Sequence, residues 1–320
     1  MKYAKDTRPK GVANKAAEVL VEALPWIKNI TGKTVVIKYG GSAMVDEQLR
    51  ADVMNDIVLL KIVGVNPVIV HGGGKAITEA MDFLQLPVEF KDGQRVTTPE
   101  AMDLVRTVLM GKVNQELVEA LNEHGNFAVG VSGADAGVIV AEQASPELGR
   151  VGRITRINSP LLDDLVAGDY IPVVASVALG EDGGFYNVNA DMVAGHIAAA
   201  IGAHKVVFLT DVDGLYENFE NKDSLISNLT LFEAQYMVEN NIVSTGMIPK
   251  LKSCIHALDS GVFRAHIING ITPHSLLLEL LTSTGVGTTM HSTEESCTFD
   301  THPLGNFASK LLENRQHAAS

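Results

Sequence analysis

The chain has only two cysteines, few aromatic residues and no long apolar run. Cys254 and Cys297 cannot build a disulfide framework, and they do not have the spacing of metal ligands. Aromatic residues make up 5% of the 320 residues, which disfavours a surface that stacks nucleic-acid bases. No apolar stretch reaches the roughly 18 residues of a membrane span, and the first residues lack the apolar core of a secretory signal. We therefore expect a soluble, cytoplasmic protein.

Basic residues are also in the minority, and the formal net charge is −13. A broad nucleic-acid surface needs clustered lysine and arginine, so this class of partner is disfavoured. A small anionic substrate is still compatible with the charge, because a few lysines in a cleft bind one even on an acidic protein.

Two familiar nucleotide-binding motifs are missing from the sequence. No segment matches the Walker pattern G-x-x-x-x-G-K-[ST], and no G-x-G-x-x-G opens a helix after a strand. The second absence disfavours a nicotinamide-dependent oxidoreductase.

The chain does contain two apolar strands that each end in a glycine cluster. Residues 35–41 read VVIKYGG, and residues 67–75 read PVIVHGGGK. A glycine turn between a buried strand and a helix leaves backbone N–H groups free, and the helix N-terminus adds partial positive charge. A lysine accompanies each cluster, Lys38 in the first and Lys75 in the second. The pair of turns therefore predicts a phosphate or carboxylate site.

Apolar runs recur along the chain with helical spacing between them. Further strands are predicted at residues 128–133, 171–176, 205–210 and 265–268, and helices at 99–121 and 190–201. This alternation predicts an α/β protein with a mainly parallel sheet, whose ligands bind at the carboxyl ends of the strands. Residues 180–187 are typical of a hairpin tip.

The two ends of the chain differ from this pattern. Residues 1–30 predict an amphipathic helix from about Asn14, which is a plausible N-cap, and Pro25 is expected to kink or break it. From His291 onward the chain is polar, and residues 291–320 are predicted to form a weakly ordered tail with one short helix near 307–313.

Residues 186–191, YNVNAD, predict a strand end followed by a helix start. Asn189 is most simply an N-cap. Asn187 is suited to a substrate carboxylate or amide. Asp191, if it lies between two lysines, would keep them charged and in place.

Two further polar segments supply candidates. Glycine and proline flank Lys250 in residues 245–250, TGMIPK, and would present it on a fixed loop. Asp211 and Asp213 follow a predicted strand, and their pairing suggests either Mg²⁺ binding or an Asp-Gly turn. His71, beside the glycines, is predicted to be a structural hydrogen-bonding residue rather than a base.

Taken together, these segments resemble the amino-acid kinase family. The matching segments are residues 38–41, 71–74, 93–97, 187–191, 210–215 and 246–250, in the order that the family has. The resemblance implies a three-layer αβα sandwich around a mainly parallel sheet of eight strands. It also implies an N-terminal lobe, residues 31–200, for the amino-acid substrate and dimerisation, and a C-terminal lobe, residues 201–290, for ATP.

The resemblance further implies transfer of the γ-phosphoryl of ATP, accompanied by Mg²⁺, to the side-chain carboxylate of N-acetyl-L-glutamate in arginine biosynthesis. No metal ligand on the chain is implied. It implies that Lys38 and Lys250 stabilise the phosphoryl group and that Asp191 organises the two lysines. Backbone N–H groups would be donated by Gly40, Gly41, Gly73 and Gly74. Arg95 and Asn187 would bind the substrate α-carboxylate, and Asp211 and Asp213 would contact the nucleotide.

Relatives inhibited by L-arginine carry an extra kinked N-terminal helix that interlaces three dimers into a hexamer, and residues 1–30 resemble it. The implied arginine-binding residues are Trp26, where many relatives have tyrosine, with His266, Glu279 and Gly287. A carboxylate such as Glu279 suits a guanidinium.

Other functions stay open at this point. A kinase of the same family could act on glutamate, aspartate, carbamate or a nucleoside monophosphate, but the segment around Arg95 and Asn187 favours N-acetylglutamate. A catalytically silent arginine-binding subunit is the alternative from another class. The joint presence of Lys38, Lys250 and Asp191 argues against it.

Overall fold

The computed structural model describes residues 10–292 except 45, 92 and 219, together with their side chains other than those of residues 10–18, 42 and 43. Cys297, the predicted tail beyond residue 292 and its short helix near 307–313 lie outside the described residues. The described helices are α1 Lys10–Ile30, α2 Glu47–Ile62, α3 Gly74–Phe83, α4 Pro99–Val108, α5 Gln115–Asn122, α6 Pro160–Ala167, α7 Ala190–Ala200, α8 Leu231–Glu239, α9 Ile248–Asp259 and α10 Ser275–Leu281.

A π-helix, Leu109–Asn114, joins α4 to α5, and short 3-10 turns occupy Gly41–Met44, Asp135–Gly137, Pro146–Leu148 and Lys222–Ser224. The strands are β1 Thr34–Tyr39, β2 Asn66–His71, β3 Phe90–Lys91, β4 Gln94–Arg95, β5 Ala128–Ser132, β6 Ile139–Gln143, β7 Gly152–Ile157, β8 Ile171–Ala175, β9 Val177–Gly180, β10 Phe185–Asn187, β11 Lys205–Thr210, β12 Leu215–Tyr216, β13 Leu225–Ile226, β14 Asn228–Thr230, β15 Arg264–Asn269 and β16 Thr288–His291.

The main sheet has eight strands in the order β14-β16-β15-β11-β1-β2-β8-β5. All neighbours are parallel except β15 and β16. Strands from the first 200 residues form one half of the sheet, and later strands form the other, so β1 and β11 meet at its centre. A second sheet, β10-β9-β6-β7, includes the predicted hairpin, because β9 and β10 pair antiparallel.

Both faces of the main sheet are covered, as the apolar runs predict. In β1, Val35 and Ile37 enter a core formed with α2, α3, α4, α5 and α10, whereas Val36 enters a second core formed with α6, α7, α8 and α9. All three side chains have no exposed surface. The layers are therefore helix, sheet and helix, which confirms the predicted α/β class with a large, mainly parallel sheet.

Some sequence predictions need correction. Asn14 is not an N-cap, because α1 already includes Lys10, and α1 runs through Pro25 without a break. His291 belongs to strand β16 rather than to a tail, since it pairs with Thr230 and Arg264. The helix predicted over residues 99–121 is α4 and α5 with the π-helix inserted between them.

Candidate active site

Lys38 lies near the carboxyl end of β1, between Val70 of β2 and Phe208 of β11. The period of two places its side chain on the face of Val36, toward α7 and α9. Gly40 follows two residues later. A Cβ atom at that position would lie only 2.7 Å from Lys38 Nζ, so a larger residue would crowd the lysine. Gly41 has a φ of +73°, a conformation that favours glycine. This glycine turn therefore leaves room for the lysine head group.

Asp191 and Lys250 reach the same place from the first turns of two helices. Asn189 caps α7, as predicted, because its side chain accepts bonds from the N–H groups of Asp191 and Met192. Lys250 follows Pro249 in the first turn of α9, so the predicted loop around it is wrong. Since proline suits the first turn of a helix, Pro249 opens α9 and fixes where Lys250 begins.

The carboxylate of Asp191 contacts both lysines. Its Oδ1 lies 2.9 Å from Lys38 Nζ, and its Oδ2 accepts a hydrogen bond from Lys250 Nζ at 3.1 Å. Burial alone would raise the pKa of Asp191, but the two ammonium groups outweigh burial and hold it below its ordinary value. Asp191 is thus an anion at neutral pH, and it keeps two cations side by side despite their repulsion.

A loop of three glycines, residues 72–74, separates two cavities and lines both of them. The larger cavity has a volume of about 870 Å³ and is also lined by Lys38, Gly40, Gly41 and Asp211. The smaller has a volume of about 400 Å³ and is also lined by Arg95 and Asn187. One ligand on each side would therefore meet the other at the glycine loop, beside Lys38.

In the smaller cavity the two side chains predicted to bind a carboxylate are held in place. Arg95 donates to the carbonyl of Gly74 at 2.9 Å and to Thr78 Oγ1 at 2.5 Å, and its guanidinium lies over the ring of Phe90. Burial lowers the pKa of Arg95 from its ordinary high value, which leaves the group cationic. Asn187 donates to the hydroxyl of Thr97 at 3.3 Å.

The two aspartates after β11 have different surroundings. Asp211 lines the larger cavity, and its carboxylate accepts a bond from Thr210 at 3.2 Å. Asp213 accepts bonds from Tyr216 at 2.5 Å and Asn269 at 2.8 Å, and it is not one of the residues that line either cavity. Contact between the nucleotide and Asp213 stays a prediction.

The four residues predicted to bind arginine line a third cavity, of about 140 Å³: Trp26, His266, Glu279 and Gly287. The Glu279 carboxylate accepts four hydrogen bonds, from His266, Thr289 and the N–H groups of Val286 and Gly287. Burial raises the pKa of Glu279, but these donors outweigh burial and hold it well below its ordinary value. A buried, fully bonded anion therefore lies in the wall of this cavity.

Several polar residues at the site had no distinct signal in the sequence. Asn114, in the π-helix, contacts His71, and both are fully buried. Ser253 donates from α9 to the carbonyl of Asp191 at 2.7 Å and ties that helix to α7. Lys112 lines the larger cavity from the π-helix. Their roles depend on helix packing, which periodicity does not reveal. His71 itself has the structural role that was predicted.

The described residues offer neither a metal-binding cluster nor a helix that could span a membrane. They contain no group of three or more His, Cys, Asp or Glu side chains that could hold a metal ion. None of the described helices combines the length and the apolar character that crossing a bilayer requires.

Residues 33–269 match the model of the amino acid kinase family. The acetylglutamate kinase of Caldanaerobacter subterraneus subsp. tengcongensis is 51% identical over 274 residues, which cover 85% of this chain and 92% of that protein. The acetylglutamate kinase of Halothermothrix orenii is 48% identical over 277 residues, which cover 85% of this chain and 96% of that protein.

Solved structures share the fold. An N-acetylglutamate synthase from Neisseria gonorrhoeae, complexed with coenzyme A and N-acetyl-glutamate, superposes with a TM-score of 0.76 at 23% identity, over 87% of this chain but only 63% of the synthase chain. Carbamate kinase from Giardia lamblia bound to AMP-PNP gives a TM-score of 0.62 at 15% identity, over 82% of this chain and 99% of that one. With the family match over residues 33–269 and close relatives along most of its length, this chain belongs to the amino acid kinase family.

Proposed function

We propose that this protein is an N-acetylglutamate kinase, which transfers the γ-phosphoryl of ATP to the side-chain carboxylate of N-acetyl-L-glutamate and so forms N-acetyl-L-glutamyl 5-phosphate. The observation that carries the proposal is the glycine loop 72–74, which is a shared wall between a cavity with Lys38 and a cavity with Arg95 and Asn187. Curated relatives of about 50% identity bear the name of this activity.

The acceptor needs no general base. A glutamate carboxylate has an ordinary pKa of about 4.3, so it is already a nucleophilic anion at neutral pH. The obstacle is the repulsion between this anion and the triphosphate. Lys38 and Lys250 place two positive charges at the end of the sheet, and the glycine turns add N–H donors. Because Asp191 holds both lysines before substrate arrives, little reorganisation is needed during transfer.

Arg95 and Asn187 would bind the α-carboxylate of N-acetyl-L-glutamate. A guanidinium makes two parallel bonds to a carboxylate, which a lysine cannot do. Nη2 of Arg95 gives its two protons to the carbonyl of Gly74 and to Thr78 Oγ1, so a two-pronged contact with the carboxylate would replace one of these bonds. This arrangement would direct the opposite end of the substrate, the side-chain carboxylate, toward Lys38.

Mg²⁺ would enter with ATP, as part of that substrate. Among the described residues no cluster of three or more His, Cys, Asp or Glu side chains could hold the ion, and the Asp191 carboxylate is already occupied by two lysines. We therefore assign most of the ligands of Mg²⁺ to the phosphates and water, with Asp211 one of the acidic side chains in the wall of the larger cavity.

We assign the two substrates to the two halves of the sheet. We assign N-acetyl-L-glutamate binding and dimerisation to residues 31–200, which provide β1, β2, β5 and β8. We assign ATP binding to residues 201–290, which provide β11, β14, β15 and most of β16. Lys38 lies in β1, next to β11, and thus borders both halves.

We also propose that L-arginine inhibits the enzyme at the third cavity. The charge of Glu279 would attract the guanidinium, which would replace one of the four present donors, and Lys205, a buried lysine in the same wall, suits the α-carboxylate. Burial lowers the pKa of Lys205 to about 8, so the side chain is still mainly cationic at neutral pH, and an incoming anion would stabilise that charge. The cavity of about 140 Å³ is smaller than most ligand sites, so binding would require Trp26, and with it α1, to shift.

The same helix supports a proposal for assembly. Val19, Leu20, Val21 and Leu24 of α1 are each more than half exposed in the single chain. Such an apolar strip is expected to pack against another protein surface. We assign it to pairing between copies of α1, which would join three dimers into a hexamer.

A hydroxylamine-trapping assay tests the reaction. MgATP would be offered with N-acetyl-L-glutamate, glutamate or aspartate in separate reactions, with and without arginine, and a Lys38→Ala preparation would control for contaminating kinases. We expect hydroxamate from N-acetyl-L-glutamate alone, less of it with arginine, and none above background from Lys38→Ala. Hydroxamate from glutamate or aspartate alone would assign a different acceptor, and none from any acid would refute the proposal.

A further inference from the structure

Two fully buried polar side chains, His71 and Asn114, form a chain of hydrogen bonds that ends at the glycine loop. The amide Nδ2 of Asn114 lies 2.8 Å from the carbonyl of Val173 and 2.9 Å from Nε2 of His71. On its other side, Nδ1 of His71 lies 2.9 Å from the carbonyl of Gly72. Neither side chain lines either cavity.

These contacts determine the protonation state of the imidazole. The carbonyl of Val173 only accepts, so the Asn114 atom beside it must be the amide nitrogen. That nitrogen gives its second proton to His71 Nε2, which is therefore the unprotonated ring nitrogen. His71 Nδ1 then carries the proton and donates it to Gly72. Burial lowers the pKa of His71 to about 4, which agrees with a neutral ring at pH 7.

The bond to Gly72 has a consequence at the next residue. A trans peptide is planar, so the carbonyl of Gly72 and the N–H of Gly73 point in opposite directions, and no cis peptide occurs in the described part of the chain. When His71 holds the carbonyl on one side, the N–H of Gly73 is fixed on the other. Gly73 is the N-cap of α3, and it lines both cavities.

The π-helix that carries Asn114 contacts the same loop by packing. A Cβ atom on Gly73 would lie 2.7 Å from Leu109 Cδ2 and 3.2 Å from Val113 Cγ2. The first residue of Leu109–Asn114 and its last two therefore hold the loop, Leu109 and Val113 by direct packing and Asn114 through His71, and a π-turn, often found at functional sites, supplies the spacing for all three. An ordinary helical turn would rotate Asn114 relative to Leu109.

We propose that Asn114 and His71 are positioning residues that act in series, Asn114 on His71 and His71 on Gly72, to aim the N–H of Gly73 at the phosphoryl group in transfer. This inference rests on the proposed kinase function for its kinetic effect. It does not rest on that function for the tautomer of His71, which is a property of the protein without substrate.

The first test is the tautomer. In the full-length protein, a long-range proton–nitrogen correlation spectrum of ¹⁵N-labelled histidine distinguishes Nδ1–H from Nε2–H, and His71→Asn identifies the signal. We expect Nδ1–H at neutral pH, and a larger Nε2–H fraction in Asn114→Leu, which has no donor for Nε2. An imidazolium or an Nε2–H ring in the wild type would overturn the proposal.

The second test is kinetic. We expect His71→Leu and Asn114→Leu to lower kcat by on the order of 10- to 100-fold, because a small misplacement of a catalytic donor is enough for such a loss. The KM for MgATP should change much less. His71→Asn should recover most of kcat, since its amide places a donor near the position of Nδ1. The double variant His71→Leu/Asn114→Leu should be no slower than His71→Leu, because the two residues act in series.

Asn122 provides a matched control for a purely structural role. It lies on α5, accepts from the N–H groups of Phe127 and Ala128, and lines neither cavity. Asn122→Leu should lower stability and leave kcat unchanged. Asn114→Leu that loses stability but keeps kcat, as this control does, would overturn the positioning role. If the wild type forms no hydroxamate, the kinase proposal fails. The tautomer of His71 alone then decides whether the chain of hydrogen bonds from Asn114 to Gly72 exists.

Discussion

The ring of His274 bonds to the carboxylate of Asp56 at 2.7 Å and joins α10 to α2. Asp56 is 1% exposed in its side chain, whereas His274 is 55% exposed and lies at the N-cap of α10 with a φ of 57°. The two helices flank strands from opposite halves of the chain, and this polar contact adds to their apolar packing in one core. The start of α2, at Leu49 and Arg50, lines the larger cavity.

This pair predicts a pH dependence of stability. Burial raises the pKa of Asp56 to about 6, and the bond to Asp56 raises the pKa of His274, with Asp52 adding a smaller contribution. Both folded-state pKa values are raised, so the folded chain binds more protons than the unfolded chain. Stabilisation by the pair is therefore greatest below about pH 4, the ordinary pKa of an aspartate. It falls as the pH rises through the raised pKa of Asp56 and then through that of His274, which lies above the ordinary histidine value of about 6.5.

We expect His274→Gln to lower the free energy of unfolding by about 1–2 kcal/mol near pH 6 and by less near pH 8. The loss near pH 6 is below the usual range for a hydrogen bond to a charged group because the exposed His274 ring is screened by solvent. Urea unfolding at both pH values measures this. His124→Gln is the control, because His124 bonds the Asn55 amide on the same helix instead of a carboxylate. Equal losses at both pH values in His274→Gln would contradict the assignment.

Asp191→Asn should lower kcat by on the order of 100- to 1,000-fold, because an amide cannot hold Lys38 and Lys250 together as cations. Steady-state kinetics of the forward reaction measures the loss. Lys252→Ala is the control, since Lys252 is exposed on the same helix as Lys250 and should leave kcat unchanged. A near-normal kcat in Asp191→Asn would remove the lysine pair from the mechanism.

Arg95→Lys should raise the KM for N-acetyl-L-glutamate by about 10-fold or more and change kcat less, because the lysine loses the two-pronged contact. Arg106→Lys is the matched control: its guanidinium also lies over an aromatic ring, that of Phe185, but it lines neither cavity. An unchanged KM in Arg95→Lys would refute the carboxylate-binding role.

Glu279→Gln should raise the arginine concentration needed for half-inhibition by about 10-fold or more, since a bond to a charged group is worth about 1.5–3 kcal/mol. Uninhibited kcat should be nearly unchanged. Trp26→Ala offers a second variant that leaves the Glu279 network intact, and it should weaken inhibition as well. A wild type that arginine does not inhibit would end the regulatory proposal and leave the kinase proposal standing.

Deletion of residues 1–30 should convert a hexamer into a dimer, and sedimentation velocity reports the mass. Leu20→Glu with Leu24→Glu should do the same without shortening the chain, because charges on the exposed apolar strip oppose its packing against another copy. If the mass of either variant equals that of the wild type, α1 does not hold the assembly together.

The sequence predicted more of the sheet than of its surroundings. The strands β1, β2, β5, β8, β11 and β15 were located because each is a buried apolar run, and these runs are the strongest local signal in an α/β protein. Strands β14 and β16 were missed because they are short, and the π-helix was missed because it continues the apolar stripe of α4. Lys250 was assigned to a loop because Gly246 and Pro249 signal a break, although Pro249 in fact begins a helix.

At the site, the local chemistry follows from short segments of the sequence. A strand that ends in glycines must expose backbone N–H groups, and the period of two in β1 must turn Lys38 to the face of Val36. The folded chain is needed to see that Asp191 bridges Lys38 to Lys250, that the glycine loop separates two cavities, and that Asn114 contacts His71. Those contacts join segments that are distant along the chain. Their geometry is set by crossover connections and helix packing, which leave no periodic trace in the sequence.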